Sequence, residues 1–156
     1  MSRLMLSTVL AVTAGLACSQ AAEHEAGTTE DDMVAVARLM VTLDRVAGEG
    51  DLEGFLEVVP DDAVYMPPNE PAIGGKRAIA EWYRALYGQF QIDITHEPLE
   101  VDVFSNIIIH RGNARGTMTP KSGGDPIAFD NKYLMVLEKR PDGSLLVWRA
   151  VFNSNQ

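Results

Sequence analysis

The chain has 156 residues, 13 lysines and arginines against 22 acids, a formal charge of −9, a pI near 4.7 and one cysteine. This length suits one domain that buries its own core without disulfides or metals, and the lone Cys18 has no partner for an internal disulfide. The acidic balance argues against nucleic acid as a partner, because neutralising phosphates requires a clustered basic surface.

Residues 1–22 are a different kind of sequence: Arg3, an uncharged apolar run from Leu4 to Ala17, then small residues around Cys18 to Ala22. That pattern reads as an export signal, since a permanent span needs ~20 apolar residues. Its exit offers two cleavage sites, one before Cys18 and one after Ser19-Gln20-Ala21. Gly15-Leu16-Ala17-Cys18 also resembles a bacterial lipobox, although its Leu stands two residues before the Cys and not three. Simple cleavage and a lipid anchor at Cys18 both remain open, and the expected location is periplasmic, secreted or membrane-anchored. Residues 23–29 read as a polar linker and 30–156 as the domain.

From Thr29 the pattern becomes helical: Met33, Val36, Ala37, Met40, Leu43 and Ala47 recur at steps of three and four. Thr29 and Asp32 form a capping pair, and Gly48 and Gly50 are stop signals. Asp51 caps a second, short helix through Leu52, Phe55, Leu56 and Val59, ended by Pro60. A strand follows from Asp61 or Ala63 to Met66, where Pro67-Pro68 removes ladder donors. Asn69 to Gly75 is a loop, and Ala78, Ile79, Trp82, Tyr83 and Leu86 mark a third helix closed by Gly88. The remainder is strand-like: Phe90 to Thr95, a bulge or edge at Pro98, Leu99 to Phe104, then Ile107 to Thr119. After a Gly-rich loop from Pro120 to Pro126, a hairpin of Ile127 to Lys139 and Leu145 to Asn153 turns at Pro141-Asp142-Gly143. The order ααβα followed by β is an α+β fold, with the N-terminal helices in the concave face of a strongly bent antiparallel sheet. The domain has no apolar run of membrane length.

This order, with Gly50-Asp51-Leu52, Asp61-Asp62-Ala63-Val64, Gly74-Gly75-Lys76-Arg77-Ala78-Ile79 and Trp148-Arg149-Ala150-Val151-Phe152-Asn153, resembles the NTF2-like superfamily, which includes ketosteroid isomerase and the SnoaL-like polyketide cyclases. The Tyr65-Met66-Pro67-Pro68 corner, Asn131-Lys132-Tyr133 and the Phe152-Asn153-Ser154-Asn155 ending are similar to its DUF4440 group. The resemblance implies a cone with an apolar pocket, and often a homodimer through the outer sheet face. It does not imply one function, because the fold hosts enzymes, binding modules and assembly domains.

Ketosteroid isomerisation needs a carboxylate base and an oxyanion hole of Tyr plus a protonated Asp. By position those roles fall on Leu43 for the Tyr and about Pro67 for the base, and neither transfers a proton. Trp82, Trp148, Ala150 and Phe152 fall where the family lines its cone, and the last three alternate on one strand face. They read as an aromatic-walled pocket or, on the same spacing, as plain core. Tyr65 and Asn69 flank the corner at the cone mouth, where they touch a ligand or hold the turn. Along the 107–118 strand, Arg111, Asn113, Arg115 and Thr117 share one face and His110, Gly112, Ala114, Gly116 and Met118 the other. If the polar set faces inward, Arg115 and Asp130 form an acid–base pair; the outward or rim placement is favoured. His96 and His110 lack ligand spacing, so neither a metal nor a cofactor is expected. The leading expectation is an exported binding domain for a small apolar or aromatic molecule among Tyr65, Trp82, Trp148 and Phe152, oriented by Asn69 or Arg115. The runner-up is a SnoaL-like lyase or isomerase using Asp130 and Arg115, and a third reading is a structural dimer.

Overall fold

The computed structural model describes residues 29–155. The expected export signal, the Cys18 anchor and all of the linker but Thr29 lie outside the described residues. Three helices, α1 (Glu30–Glu49), α2 (Leu52–Glu57) and α3 (Lys76–Gln89), precede or interrupt six strands: β1 (Val64–Met66), β2 (Ile73–Gly74), β3 (Phe90–Phe104), β4 (Ile107–Pro120), β5 (Ile127–Lys139) and β6 (Leu145–Ser154). The strands form one sheet in the order β2-β1-β6-β5-β4-β3. Every pairing is antiparallel except β1 with β6, which is parallel. The result is an α+β fold with its helices against one curved sheet.

Local chemistry sets the element ends. The Thr29 side chain accepts from the Asp32 N–H while the Asp32 carboxylate accepts from the Thr29 N–H, and Gly50 closes α1 in the left-handed conformation at φ 66°. The Asp51 side chain caps α2 by accepting from the Gly54 N–H at 2.9 Å. Gly88 does not stop α3; the helix runs through it to Gln89 and passes straight into β3 at Phe90. The buried face of α1 is also rotated from the expected one. Asp32, Val36, Leu39, Met40, Leu43 and Val46 are buried, while Met33 and Ala37 are exposed. The anchor of that rotation is Asp32, only 2% exposed, whose carboxylate accepts from Lys139 Nζ at 2.5 Å.

Two bulges shape the sheet. In β3 the register with β4 shifts between Pro98 and Glu100, where Pro98 offers no N–H. In β6 the register with β5 passes from Val136 opposite Arg149 to Leu137 opposite Val147, which leaves Trp148 as an extra residue. The core between helices and sheet holds Val36, Val46, Val59, Ile79, Ile108, Leu137 and Val147, each almost wholly buried. Each such side chain contributes roughly 1.5–3 kcal/mol on burial.

Candidate functional site

The concave face encloses a cavity of about 380 Å³. Leu43 and Ala47 of α1, Phe55 of α2, Trp82, Tyr83, Leu86 and Tyr87 of α3, and inward residues of β3 to β6 line it, with Tyr65, Pro67, Pro68 and Glu70 at the corner after β1. The aromatic rings brace one another: Phe55 and Tyr83 have centroids 4.0 Å apart, and Tyr65 stands edge-on to both at 6.2 Å. Burial pushes the Tyr65, Tyr83 and Tyr87 phenols upward, so all three are neutral hydrogen-bond donors at ordinary pH. Tyr65 and Tyr83 have no hydroxyl partner among the described residues.

One ionisable pair stands in this wall. On β3 the inward parity runs Ile92, Ile94, His96, and the His96 ring faces the cavity with Tyr133 at 5.3 Å between centroids. His96 Nδ1 lies 2.6 Å from Asp44 Oδ1 on α1. A carboxylate only accepts, so Nδ1 carries the proton and donates, leaving Nε2 without a partner among the described residues. The same Asp44 carboxylate faces the His96 backbone N–H at 3.3 Å. Because β3 is an edge strand, Asp44 also covers a ladder donor that no neighbouring strand takes.

Behind the dyad lies a second, fully enclosed pair. His110 is 0% exposed; its Nδ1 lies 3.1 Å from the Glu100 carbonyl and its Nε2 2.9 Å from the Tyr133 hydroxyl. The carbonyl can only accept, so Nδ1 is the protonated nitrogen and Tyr133 O–H donates to Nε2. Desolvation lowers the His110 pKa, which keeps the ring neutral and that tautomer fixed. Burial, then the charges of Asp44 and Glu97, raise the Tyr133 phenol. Gly112 makes the arrangement possible: a Cβ there would stand 2.4 Å from the Tyr133 hydroxyl oxygen.

The profile of the SnoaL-like domain matches residues 36–148, well over half of the chain. The chain belongs to the SnoaL-like family. Among solved structures, the SnoaL-like domain is similar to a ketosteroid isomerase-like protein from Erwinia carotovora atroseptica (22% identity, TM-score 0.73, covering 82% of this chain and 99% of that one). It is also similar to a putative aromatic ring hydroxylase from Novosphingobium aromaticivorans (15%, 0.72, 83% and 93%) and a putative dehydratase of the NTF2-like family from Streptomyces avermitilis (15%, 0.70, 83% and 99%). At these identities the likeness shows the NTF2-like fold alone. No curated protein sequence matches the chain.

The structure brings together three of the seven residues singled out from sequence. Tyr65, Trp82 and Phe152 line the cavity of the SnoaL-like domain. Asn69 does not, although its neighbours Pro68 and Glu70 do; it takes the left-handed conformation at φ 61° and turns the exposed loop. Trp148 is a correction: the β6 bulge puts Val147, Ala150 and Phe152 inside and throws Trp148 outside. There its indole N–H donates to Asp62 at 2.9 Å and the Arg149 guanidinium lies 4.0 Å above its ring. Strict alternation fails because one inserted residue reverses parity.

Arg115 and Asp130 face away from the cavity, opposite each other on β4 and β5. Arg115, 54% exposed, meets Asp130 at 3.2 Å and Glu97 at 2.7 Å. Hydrogen bonding from Asn155 and then Arg115 holds the Asp130 carboxyl below its usual range, the opposite of what a general acid needs. The inward face of β4 is the set His110, Ala114 and Met118.

Sequence reasoning missed Asp44, His96 and Tyr133. The signals were present in the spacing. Asp44 stands four residues after Met40 and three before Ala47, inside an apolar helical stripe, and His96 continues the alternation of Ile92 and Ile94. Among the described residues no cluster of three or more His, Cys, Asp and Glu side chains could hold a metal, and no helix is long and apolar enough to cross a membrane.

Proposed function

We propose that this SnoaL-like domain is an acid–base enzyme of the lyase or isomerase kind, acting on a small, largely apolar molecule held in its cone. The observation that carries the reading is the 2.6 Å contact of His96 with Asp44 in the wall of an apolar, aromatic-lined cavity. His96 Nε2 takes a proton from carbon next to a carbonyl, and Asp44 holds the ring orientation and stabilises the imidazolium that forms. The enolate oxygen receives hydrogen bonds from the neutral Tyr65 and Tyr83 phenols, or from the Asn131 amide, which also lines the cavity. The Nε2 proton then returns to a different carbon in an isomerisation, or leaves with a β-hydroxyl as water in an elimination. These roles replace the Asp130 and Arg115 assignment, whose side chains cannot reach the cavity.

Deuterium uptake into a bicyclic aryl ketone such as 2-tetralone in D2O, followed by proton NMR, tests the proposal. The wild type should accelerate exchange above buffer, with a loss of at least about 100-fold in His96→Ala and about tenfold or more in Asp44→Asn. Wild-type protein that binds the ketone without speeding exchange would overturn the catalytic reading and leave a binding module, the function expected from sequence. Export from the cell, with or without a lipid at Cys18, and dimerisation through the outer sheet face belong to the same proposal. Leu134, 40% exposed on that face, supports the latter, and sedimentation at several concentrations measures it.

A further inference from the structure

Among the described residues no lysine or arginine lines the cavity of the SnoaL-like domain, although the domain as a whole carries both. Its ionisable lining groups are His96, already paired with Asp44, the tyrosines, and Glu70 at the mouth. Glu70 accepts from the Trp82 indole N–H at 2.9 Å. That bond orients the carboxylate beside the Trp82 ring and leaves its charge uncompensated, since no cation pairs with Glu70 among the described residues. Trp82 in turn stands edge-on to Phe152 at 6.4 Å and to Tyr83 at 4.9 Å, so the carboxylate sits on a rim of aromatic rings.

Two consequences follow from charge. A carboxylate or phosphate entering such a cavity loses its water and meets no cation, which is the costliest form of burial. A ligand with a protonated amine at its outer end meets Glu70 and the electron-rich faces of the rim aromatics, both of which attract it. The net charge of −9 adds long-range attraction of the same sign.

We infer that Glu70 sets the charge class of the ligand: the cone takes an apolar body whose outer end is a protonated amine, accepts a neutral one less well, and rejects organic anions. This rests on the ligand-holding part of the proposed function, not on its proton transfer. The test uses three biphenyl probes that differ at one end, an aminomethyl, a hydroxymethyl and a carboxylate group, with dissociation constants measured by calorimetry at pH 7 and low salt. The ammonium should bind about threefold to fivefold more tightly than the alcohol, the range an exposed ion pair supplies, and the carboxylate at least about tenfold more weakly. Glu70→Gln, whose carbonyl still accepts from Trp82, should bring the ammonium-to-alcohol ratio close to one. A carboxylate that binds as well as the alcohol, or a ratio unmoved by Glu70→Gln, would overturn the inference. Failure of all three probes to bind overturns it together with the ligand-holding reading. The same charge order in a protein that exchanges no protons supports it and removes only the catalytic reading.

Discussion

Two carboxylate–base pairs sit on opposite faces of this sheet, and they do different work. Asp44 and His96 meet at 2.6 Å against the cavity, with a His96 side chain only 10% exposed. Asp130 and Arg115 meet at 3.2 Å on the outer face, both open to solvent and shared with Glu97 and Asn155. In the first pair the low-polarity wall strengthens each interaction and one nitrogen remains free to move a proton. In the second, water screens the charges and the carboxylate is held ionised. Residue type alone makes both look like acid–base chemistry, and strand parity separates them.

The largest expected effect would break that contrast. His96→Ala should cost at least about 100-fold in ketone exchange, whereas Asp130→Asn should leave the rate within about twofold. Equal losses would mean that the two faces are not chemically distinct. The next effect tests what holds the inward face together. Gly112→Ala places a Cβ 2.3 Å from the Glu97 carbonyl and 2.4 Å from the Tyr133 hydroxyl. Neither neighbour is a free side-chain end, so the strand or the phenol must move, at about 1–3 kcal/mol. Urea denaturation should show that loss, and Tyr133→Phe alone should cost a comparable amount by leaving the buried His110 Nε2 without its donor.

A smaller effect comes from pH, and the inward residues again dominate it. His110 has its folded pKa lowered by desolvation, so below its ordinary value of 6.5 the unfolded chain binds a proton that the native state does not. Stability that is fully present above that pH should fall as the solution is acidified, by up to about 1.4 kcal/mol per pH unit for one proton. Asp32, lowered chiefly by its hydrogen bond from Lys139, contributes stability above its ordinary 3.8 that is lost as pH falls through the lower folded value. The two should therefore appear as separate steps in an acid titration of the unfolding midpoint. His110→Asn should flatten the upper step and Asp32→Asn the lower, whatever each does to absolute stability.

Much of this architecture is legible in sequence because it rests on local chemistry. The Thr29–Asp32 box, the Asp51 cap, Gly50 and the turn at Gly143 each announce an element end through a residue that the backbone there requires. Long-range geometry is less legible. The bulge at Trp148 arises from how β5 and β6 pair, and nothing in Leu145 to Ser154 marks which residue will be the extra one. Asp44 and His96 are 52 positions apart and meet only because α1 lies along the edge of β3. Each carries a local sign, a polar residue in an apolar stripe, but that sign also fits a side chain that merely satisfies an edge N–H, a task Asp44 performs as well.

The smallest effect is a null result, and it bears on the comparison as directly as the largest. Arg115 raises the apparent strength of the outer network by touching both Glu97 and Asp130, and Asn155 adds a 2.6 Å bond to Asp130. All of these groups are solvated, and salt screens charges beyond about 8–10 Å and weakens such contacts. Arg115→Ala should leave the unfolding midpoint and the exchange rate where they are in the monomeric protein, and raising ionic strength should not change that. If the outer face pairs with a second copy, the same substitution should shift the concentration at which dimers form, because the arginine would then exchange water for a partner. A loss of exchange activity at concentrations where no dimer exists is the outcome that fails the division between the two faces. It would mean that the outer pair reaches the cavity through the sheet, where Tyr133, whose phenol feels both Asp44 and Glu97, is the polar group placed to carry it.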